Sequence, residues 1–177
     1  MLTILKGIKV TKPAKILVTY NPGNDFEQTL AVRLQTLGAI HGFSILMPDR
    51  YEQHAPVSRE TSYRIRSCDY FIFFSTSPLT STVQQEIQEA YDHLHDKSKI
   101  LIVYDRVKNL NHNLNCTEAY INSVNHSVQE ILQHTIGSIR KNQQTTEIKA
   151  QQDTVNAIGA IILVGLGLLA LNSISSK

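Results

Sequence analysis

Four short apolar runs recur along the chain, at residues 15–20, 43–47, 70–74 and 100–104. Each run has the length of a β-strand, and none shows the regular polar alternation of a half-exposed strand. Strands that are buried on both faces are typical of parallel sheets covered by helices. The hydrophobic pattern therefore predicts an α/β fold with a doubly wound parallel sheet.

Apolar residues at helical spacing lie between these predicted strands. A turn signal, N-P-G-N, follows the first strand, and a helical pattern then begins at Asp25. Gly38 and Gly42 are predicted to end that helix. A second helical pattern follows the third strand, and the capping-box spacing of Ser81 and Gln84 predicts that Ser81 caps this helix.

A long helical stripe is predicted from Thr117 to Ile139, where apolar residues again recur at helical spacing. This helix would pack on the sheet and close the domain. A fifth strand at the sheet edge, near residues 107–121, is the alternative, although no pattern in the sequence indicates it. We therefore predict one domain over residues 13–140, after a lead segment of residues 1–12.

Residues 155–174 contain no charged side chain and follow a polar segment, 141–154, that is predicted to be a linker. About twenty uncharged residues can cross the core of a bilayer as a helix. More Lys and Arg residues precede this segment than follow it, and the positive-inside rule then places the domain in the cytoplasm. We expect a single-pass membrane tail anchor; the alternative is a hydrophobic helix that packs in an oligomer.

Composition and charge argue against several classes of function. The formal net charge is +2, and no basic run supports nucleic-acid binding. Cys68 and Cys116 lie far apart without a partner motif, so both are expected to be reduced. The seven histidines are scattered, and no Gly-rich phosphate loop is present. We therefore expect neither a metal site nor a nucleic-acid partner.

One carboxylate lies in the first turns of the helix predicted after the third strand. Glu86 is about 60° around that helix from Val83, on the edge of the apolar stripe. It follows a buried strand, at the edge of the sheet where open α/β folds bind ligands. A half-sheltered carboxylate at this place could act on a ligand. The alternative is that Glu86 faces solvent, as charges beside an amphipathic stripe usually do.

Three segments together resemble Toll/interleukin-1 receptor (TIR) domains: I-L-V-T-Y-N-P-G-N-D, R-I-R-S-C-D-Y-F-I-F-F-S and S-T-V-Q-Q-E-I. Thr19 and Tyr20 fit the Ser/Thr-Tyr pair of the family's first box. Glu86 fits the glutamate of its S-x-W-x-x-E-[IL] motif, although Val83 stands where Trp is common. The resemblance covers roughly residues 13–140 and implies a flavodoxin-like sheet.

In TIR domains that are enzymes, this glutamate cleaves NAD+ between nicotinamide and ribose, so the resemblance places that role on Glu86. Breaking the bond builds oxocarbenium-like positive charge, which a carboxylate can stabilise. NAD+ would be the substrate, with no cofactor and no metal. The substrate-binding residues implied beside Glu86 are Tyr20, Asn21, Asp49, Arg50, Ser75 and Ser81.

Three functional interpretations follow. The first is a membrane-tethered, TIR-type NAD+ glycohydrolase or ADP-ribosyl cyclase that acts in anti-phage or immune signalling. Such domains self-associate, so like domains would be partners. The second is a non-catalytic TIR scaffold that assembles through TIR–TIR contacts. The third is a nucleoside deoxyribosyltransferase-like enzyme, which shares the fold and a glutamate on the helix after the third strand, but whose D-x-G-T-x-x-E run is absent here.

Overall fold

The computed structural model describes residues 12–50, 57–106 and 114–145, together with residues 148 and 152. In this part of the chain five parallel strands form one sheet, in the order β2-β1-β3-β4-β5. The strands are β1 (Ala14–Thr19), β2 (Phe43–Leu46), β3 (Tyr70–Ser75), β4 (Ile100–Asp105) and β5 (Thr117–Ile121). This is the flavodoxin-like order, so the predicted fold class is confirmed.

The helices between the strands are α1 (Asp25–Ile40), α2 (Arg59–Ser67) and α3 (Ser81–His93). A further helix, α4, begins at residue 128. α2 and α3 cover one face of the sheet, and their apolar residues meet those of β3 and β4 in a buried cluster. This cluster includes Ile65, Phe71, Phe73, Val83, Ile87 and Ile102.

Burial along the strands follows their position in the sheet. Every residue of β4 is buried, as are the last four residues of β1 and the last five of β3. The edge strands β2 and β5 instead alternate between buried and more exposed positions. Helices cover both faces of a central strand, whereas an edge strand keeps one row of side chains near solvent. Three of the four apolar runs, at residues 15–20, 70–74 and 100–104, therefore form central strands, whereas the run at 43–47 forms the edge strand β2.

The helix predicted from Thr117 is wrong in its first part, because Thr117–Ile121 is the strand β5 and α4 begins only at residue 128. Ala119 and Ile121 are buried, and the residues between and beside them are not. Val124, which the helical stripe would have buried, is 74% exposed. The backbone of Thr117–Ile121 pairs with β4, and this long-range pairing decides the conformation of a segment whose own pattern is ambiguous.

Two predictions at the helix ends are also corrected. Gly38 does not end α1 but lies inside it, where a Cβ atom would collide with the side chain of Ile45. Gly42, whose φ is +81°, lies in the turn after α1, as predicted. α3 is capped by Thr80 rather than Ser81: Thr80 has extended backbone angles, and its side chain accepts a hydrogen bond from the N–H of Val83.

The chain divides into two units, Met1–Ser138 and Ile139–Lys177. In the first, α4 buries Ile131, Leu132 and Ile136. In the second, residues 139–145, 148 and 152 are described, and all are helical. Within the described residues, no helix is both long enough and apolar enough to cross a membrane. The predicted anchor at 155–174 lies outside the described residues, as do most of the lead segment and part of the predicted linker.

Candidate functional site

A polar site lies at the carboxyl edge of the sheet, where the strand order changes direction. The chain passes from β1 to β2 on one side and then crosses to β3 on the other side of β1. Thr19 is the last residue of β1, Arg50 follows β2, and Glu86 lies in the second turn of α3, which follows β3. In doubly wound sheets the crevice at this switch point is the usual place for a ligand.

The Glu86 carboxylate is at the centre of this site and is completely buried. The guanidinium of Arg50 forms an ion pair with Glu86 Oε1 and donates from its second terminal nitrogen to Oε2 at 3.0 Å. The Thr19 hydroxyl donates to the same Oε2. Glu86 is therefore more deeply buried than the half-sheltered position that its place on the helical stripe predicts, and Arg50 contacts both of its carboxylate oxygens.

Arg50 links Glu86 to the end of β1. Its second terminal nitrogen also lies 3.0 Å from the Thr19 hydroxyl oxygen and 3.0 Å from the carbonyl oxygen of Tyr20. The guanidinium carbon is 5.6 Å from the centre of the Tyr20 ring, within cation–π range. The side chain of Arg50 is 22% exposed. Its Nε is buried and has no hydrogen-bond acceptor among the described residues.

This arrangement holds a buried anion in a fixed orientation beside a partly exposed cation. Thr19 fixes Oε2 of the carboxylate, and Arg50 contacts both oxygens in the two-pronged geometry that guanidinium and carboxylate groups favour. Such a site can bind an anionic group through Arg50 and can place carboxylate charge near a developing cation. Within the described ranges, no group of three or more His, Cys, Asp or Glu side chains could hold a metal ion.

A second buried carboxylate, Glu27 on α1, joins the two loops that flank the site. It accepts hydrogen bonds from the backbone N–H groups of Asn21 at 2.7 Å and Thr76 at 3.0 Å. The hydroxyls of Thr76 and Ser77 donate to it at 2.8 and 3.2 Å. The Asn21 side chain then accepts from the N–H of Thr80, the N-cap of α3, at 2.8 Å. Glu27 thus helps to fix the start of the helix that carries Glu86.

Sequence reasoning missed Glu27, and the signal for it is weak. Its partners Thr76 and Ser77 lie 49 and 50 residues further along the chain. The one local sign is its place in the first turn of α1, where the N-cap Asn24 accepts a hydrogen bond from the N–H of Glu27. Acidic residues are common at such positions for reasons unrelated to function.

The structure brings three of the predicted site residues together, because Arg50 contacts both Glu86 and Tyr20. Asn21 follows Tyr20 in sequence, but its N–H donates to Glu27 and its side-chain oxygen accepts from the N–H of Thr80. The backbone N–H of Asp49 donates to the Thr61 hydroxyl at 2.8 Å.

The two predicted serines lie in different environments. Ser75 is the last residue of β3 and is fully buried. Ser81 is exposed at the first position of α3. Thr19, which the prediction did not include, contacts both Glu86 and Arg50.

The two cysteines are free, with Cys68 buried and Cys116 partly buried. Burial raises the pKa of the Cys68 thiol to about 11 and that of Cys116 to about 12. A thiol with so high a pKa is protonated near neutral pH, and the protonated form is a poor nucleophile. Neither cysteine is a candidate nucleophile.

Comparisons with known proteins found a similar solved structure but no similar sequence family. No family model matches the chain, and no curated protein matches it significantly. Among solved structures, the crystal structure of the IL-17 receptor B SEFIR domain is similar over 71% of this chain and 99% of that chain. The sequence identity is 17% and the TM-score is 0.44.

Proposed function

We propose that the protein is a TIR-type enzyme that cleaves NAD+ at the nicotinamide–ribose bond, with Glu86 as the catalytic residue. The observation that carries the proposal is the buried, oriented Glu86 carboxylate at the switch point of the sheet, beside a guanidinium that can bind a phosphate. The TIR-like sequence motifs at Thr19–Tyr20 and Glu86 supply the reaction class. The biological setting we propose is anti-phage or immune signalling.

The chemistry requires little beyond a positioned carboxylate. When the bond between ribose C1′ and the nicotinamide nitrogen breaks, its electron pair stays on nicotinamide, which leaves as a neutral molecule. The positive charge left on the ribose is stabilised by the Glu86 carboxylate. Water then adds to C1′ and loses a proton, giving ADP-ribose. Attack on C1′ by a nitrogen of the adenine ring instead gives a cyclic product.

Substrate binding in this proposal uses the residues around Glu86. Arg50 contacts the diphosphate, because a guanidinium can donate two parallel hydrogen bonds to phosphate oxygens. Tyr20, Asn21 and Asp49 flank the ribose and phosphates. Ser75 and Ser81 are proposed to line the site in its ligand-bound form.

The test is NAD+ loss, with analysis of the products, for the purified full chain in detergent. Glu86→Gln keeps the size of the side chain and removes its charge. We expect this variant to be slower by at least about a hundredfold, the effect typical of removing one strong electrostatic stabiliser. Glu89→Gln is the matched control, since Glu89 lies on the same helix and pairs with Arg66 at 3.1 Å. Equal NAD+ loss in the wild type and Glu86→Gln would contradict the proposal.

We further propose that residues 155–174 tether the protein to a membrane and that the tether promotes self-association of the TIR-type domains. Deleting residues 155–177 should then lower activity in dilute solution and leave it unchanged when the protein is crowded. Equal activity of the two forms at every concentration would show that the tail has no such role.

A non-catalytic scaffold is the second candidate, and one observation favours it. Glu86 is engaged in an ion pair with Arg50, and such a pair can serve structure alone. A scaffold would self-associate without consuming NAD+, and Glu86→Gln would change its stability but no activity. Exchange of bases between nucleosides, without NAD+ loss, would instead support the transferase-like enzyme.

A further inference from the structure

We propose that the substrate itself releases Glu86: an anionic diphosphate draws Arg50 away from the carboxylate, and ligands without such an anion leave Glu86 blocked. This inference rests on the proposed function and adds to it a rule for substrate class. Arg50 thereby becomes the specificity-determining residue, because the group that binds the anion is the one that inhibits the carboxylate.

The first step is that Glu86 is inaccessible while Arg50 holds it. Glu86 has no exposed surface, whereas the Arg50 side chain is 22% exposed. Arg50 therefore lies on the outer side of the carboxylate, and Thr19, which is itself fully buried, contacts it from the inner side. A ligand that approaches from solvent meets the guanidinium before it meets Glu86.

The second step is electrostatic. A carboxylate stabilises an oxocarbenium-like centre through its negative charge, and a guanidinium bound to both of its oxygens cancels most of that charge. Arginine does not lose its proton in proteins, so Arg50 cannot be neutralised in place. Glu86 becomes effective only when the guanidinium is moved.

The third step identifies what can move it. One terminal nitrogen of Arg50 is shared among three acceptors, Thr19, Tyr20 and Glu86. The buried Nε has no acceptor in the described part of the chain. A diphosphate offers several anionic oxygens and can accept from Nε and a terminal nitrogen together. The guanidinium then exchanges one anion for another, and the Thr19 hydroxyl still orients Glu86.

A ribosyl compound without a phosphate offers no such exchange. Drawing Arg50 off Glu86 without a replacement anion would leave a buried carboxylate and a guanidinium both unpaired, which is strongly unfavourable. The inferred substrate class is therefore ribosyl compounds that carry a phosphate or diphosphate at the position facing Arg50.

Kinetics with two substrates test this inference. NAD+ carries the diphosphate, and nicotinamide riboside has the same scissile bond without any phosphate. The wild type should prefer NAD+. Arg50→Gln should lower kcat/KM for NAD+ by roughly tenfold or more and raise kcat/KM for the riboside. Arg66→Gln, which removes a 67% exposed arginine paired with Glu89, is the control and should change neither value.

The opposite changes in kcat/KM for the two substrates distinguish the proposed role of Arg50 from phosphate binding alone and from a purely structural role. If Arg50 only contacts phosphate, Arg50→Gln would lower kcat/KM for NAD+ and leave kcat/KM for the riboside unchanged. If Arg50 only maintains structure, the substitution would lower both values. Either pattern would overturn the inference.

A binding measurement on the wild-type chain tests the exchange without relying on activity or on a variant that folds poorly. NMR signals of the Arg50 Nε–H and the Glu86 carboxyl carbon are followed while ADP-ribose or plain ribose is added. ADP-ribose should move both signals together, and ribose should move neither. If both signals move but neither the wild type nor any variant cleaves NAD+, the proposed activity is wrong while the exchange of Arg50 between Glu86 and the diphosphate is supported. Signals that stay fixed under saturating ADP-ribose would overturn the exchange.

Discussion

Glu27→Gln is expected to destabilise the protein, although the two side chains have nearly the same size and shape. Oε1 of Glu27 accepts from the N–H and hydroxyl of Thr76, and Oε2 accepts from the N–H of Asn21. A glutamine places an NH2 group at one of these two positions, where it faces a donor. Whichever way the amide is turned, at least one buried donor loses its acceptor.

The magnitude follows from these contacts. A buried donor left without a partner costs about 1–3 kcal/mol, and the remaining hydrogen bonds lose the charge that strengthened them. We expect the free energy of unfolding to fall by about 3 kcal/mol, out of the roughly 5–15 kcal/mol typical of a domain. With an m-value of about 2 kcal/mol per molar urea, the unfolding midpoint would fall by about 1.5 M.

Urea unfolding followed by far-UV circular dichroism is the assay, since the chain has no tryptophan to report on folding. Glu60→Gln is the control: Glu60 is half exposed and pairs with Arg64 at 2.8 Å. An exposed pair of this kind contributes about 0–1 kcal/mol, so the control should unfold close to the wild type. If Glu27→Gln unfolds at the same urea concentration as Glu60→Gln, the Glu27 network does not hold the two loops together as we argue.

Three further predictions concern Thr19, the two cysteines and Gly42. Thr19→Val removes the hydroxyl that orients Glu86, and we expect kcat for NAD+, measured per mole of folded protein, to fall by roughly tenfold; unchanged kcat would mean that Thr19 does not position the carboxylate. Iodoacetamide should alkylate Cys68 and Cys116 far more slowly than it alkylates glutathione at pH 8, because burial raises the pKa of both thiols. The alkylation rate should rise as the pH approaches 11. Rates equal to that of glutathione at pH 8 would contradict this burial. Gly42→Ala should lower the unfolding free energy by about 1 kcal/mol, because the φ of +81° disfavours a Cβ atom; an unchanged thermal midpoint would contradict that backbone angle.

The central part of the fold could be predicted from the sequence because its strands are buried on both faces. The run Tyr70–Phe74 has no polar alternation, and β3 lies between β1 and β4. β5 could not be predicted in the same way. Its spacing, with Ala119 and Ile121 buried and Val124 further on, fits a helix as well as a strand, and only pairing with β4 selects the strand.

Part of the candidate site could also be predicted from the sequence. The place of Glu86 follows from local signals, namely a strand, a turn and a helical stripe. Its ion-pair partner is Arg50, which is 36 residues away in sequence, and no spacing rule connects the two. The Glu27 network joins loops that meet only after the sheet has formed, so the local pattern gives only the weak sign of an acidic residue in the first turn of α1.

The proposed function requires that the Glu86 carboxylate drives cleavage of the nicotinamide–ribose bond. The most direct measurement is the initial rate of nicotinamide release from NAD+ by the full chain, for the wild type, Glu86→Gln and Glu89→Gln at equal concentrations of folded protein. We expect release by the wild type and Glu89→Gln, and a rate lower by at least about a hundredfold for Glu86→Gln. Release by Glu86→Gln at the wild-type rate, or no release by any of the three proteins after self-association is established, would contradict it.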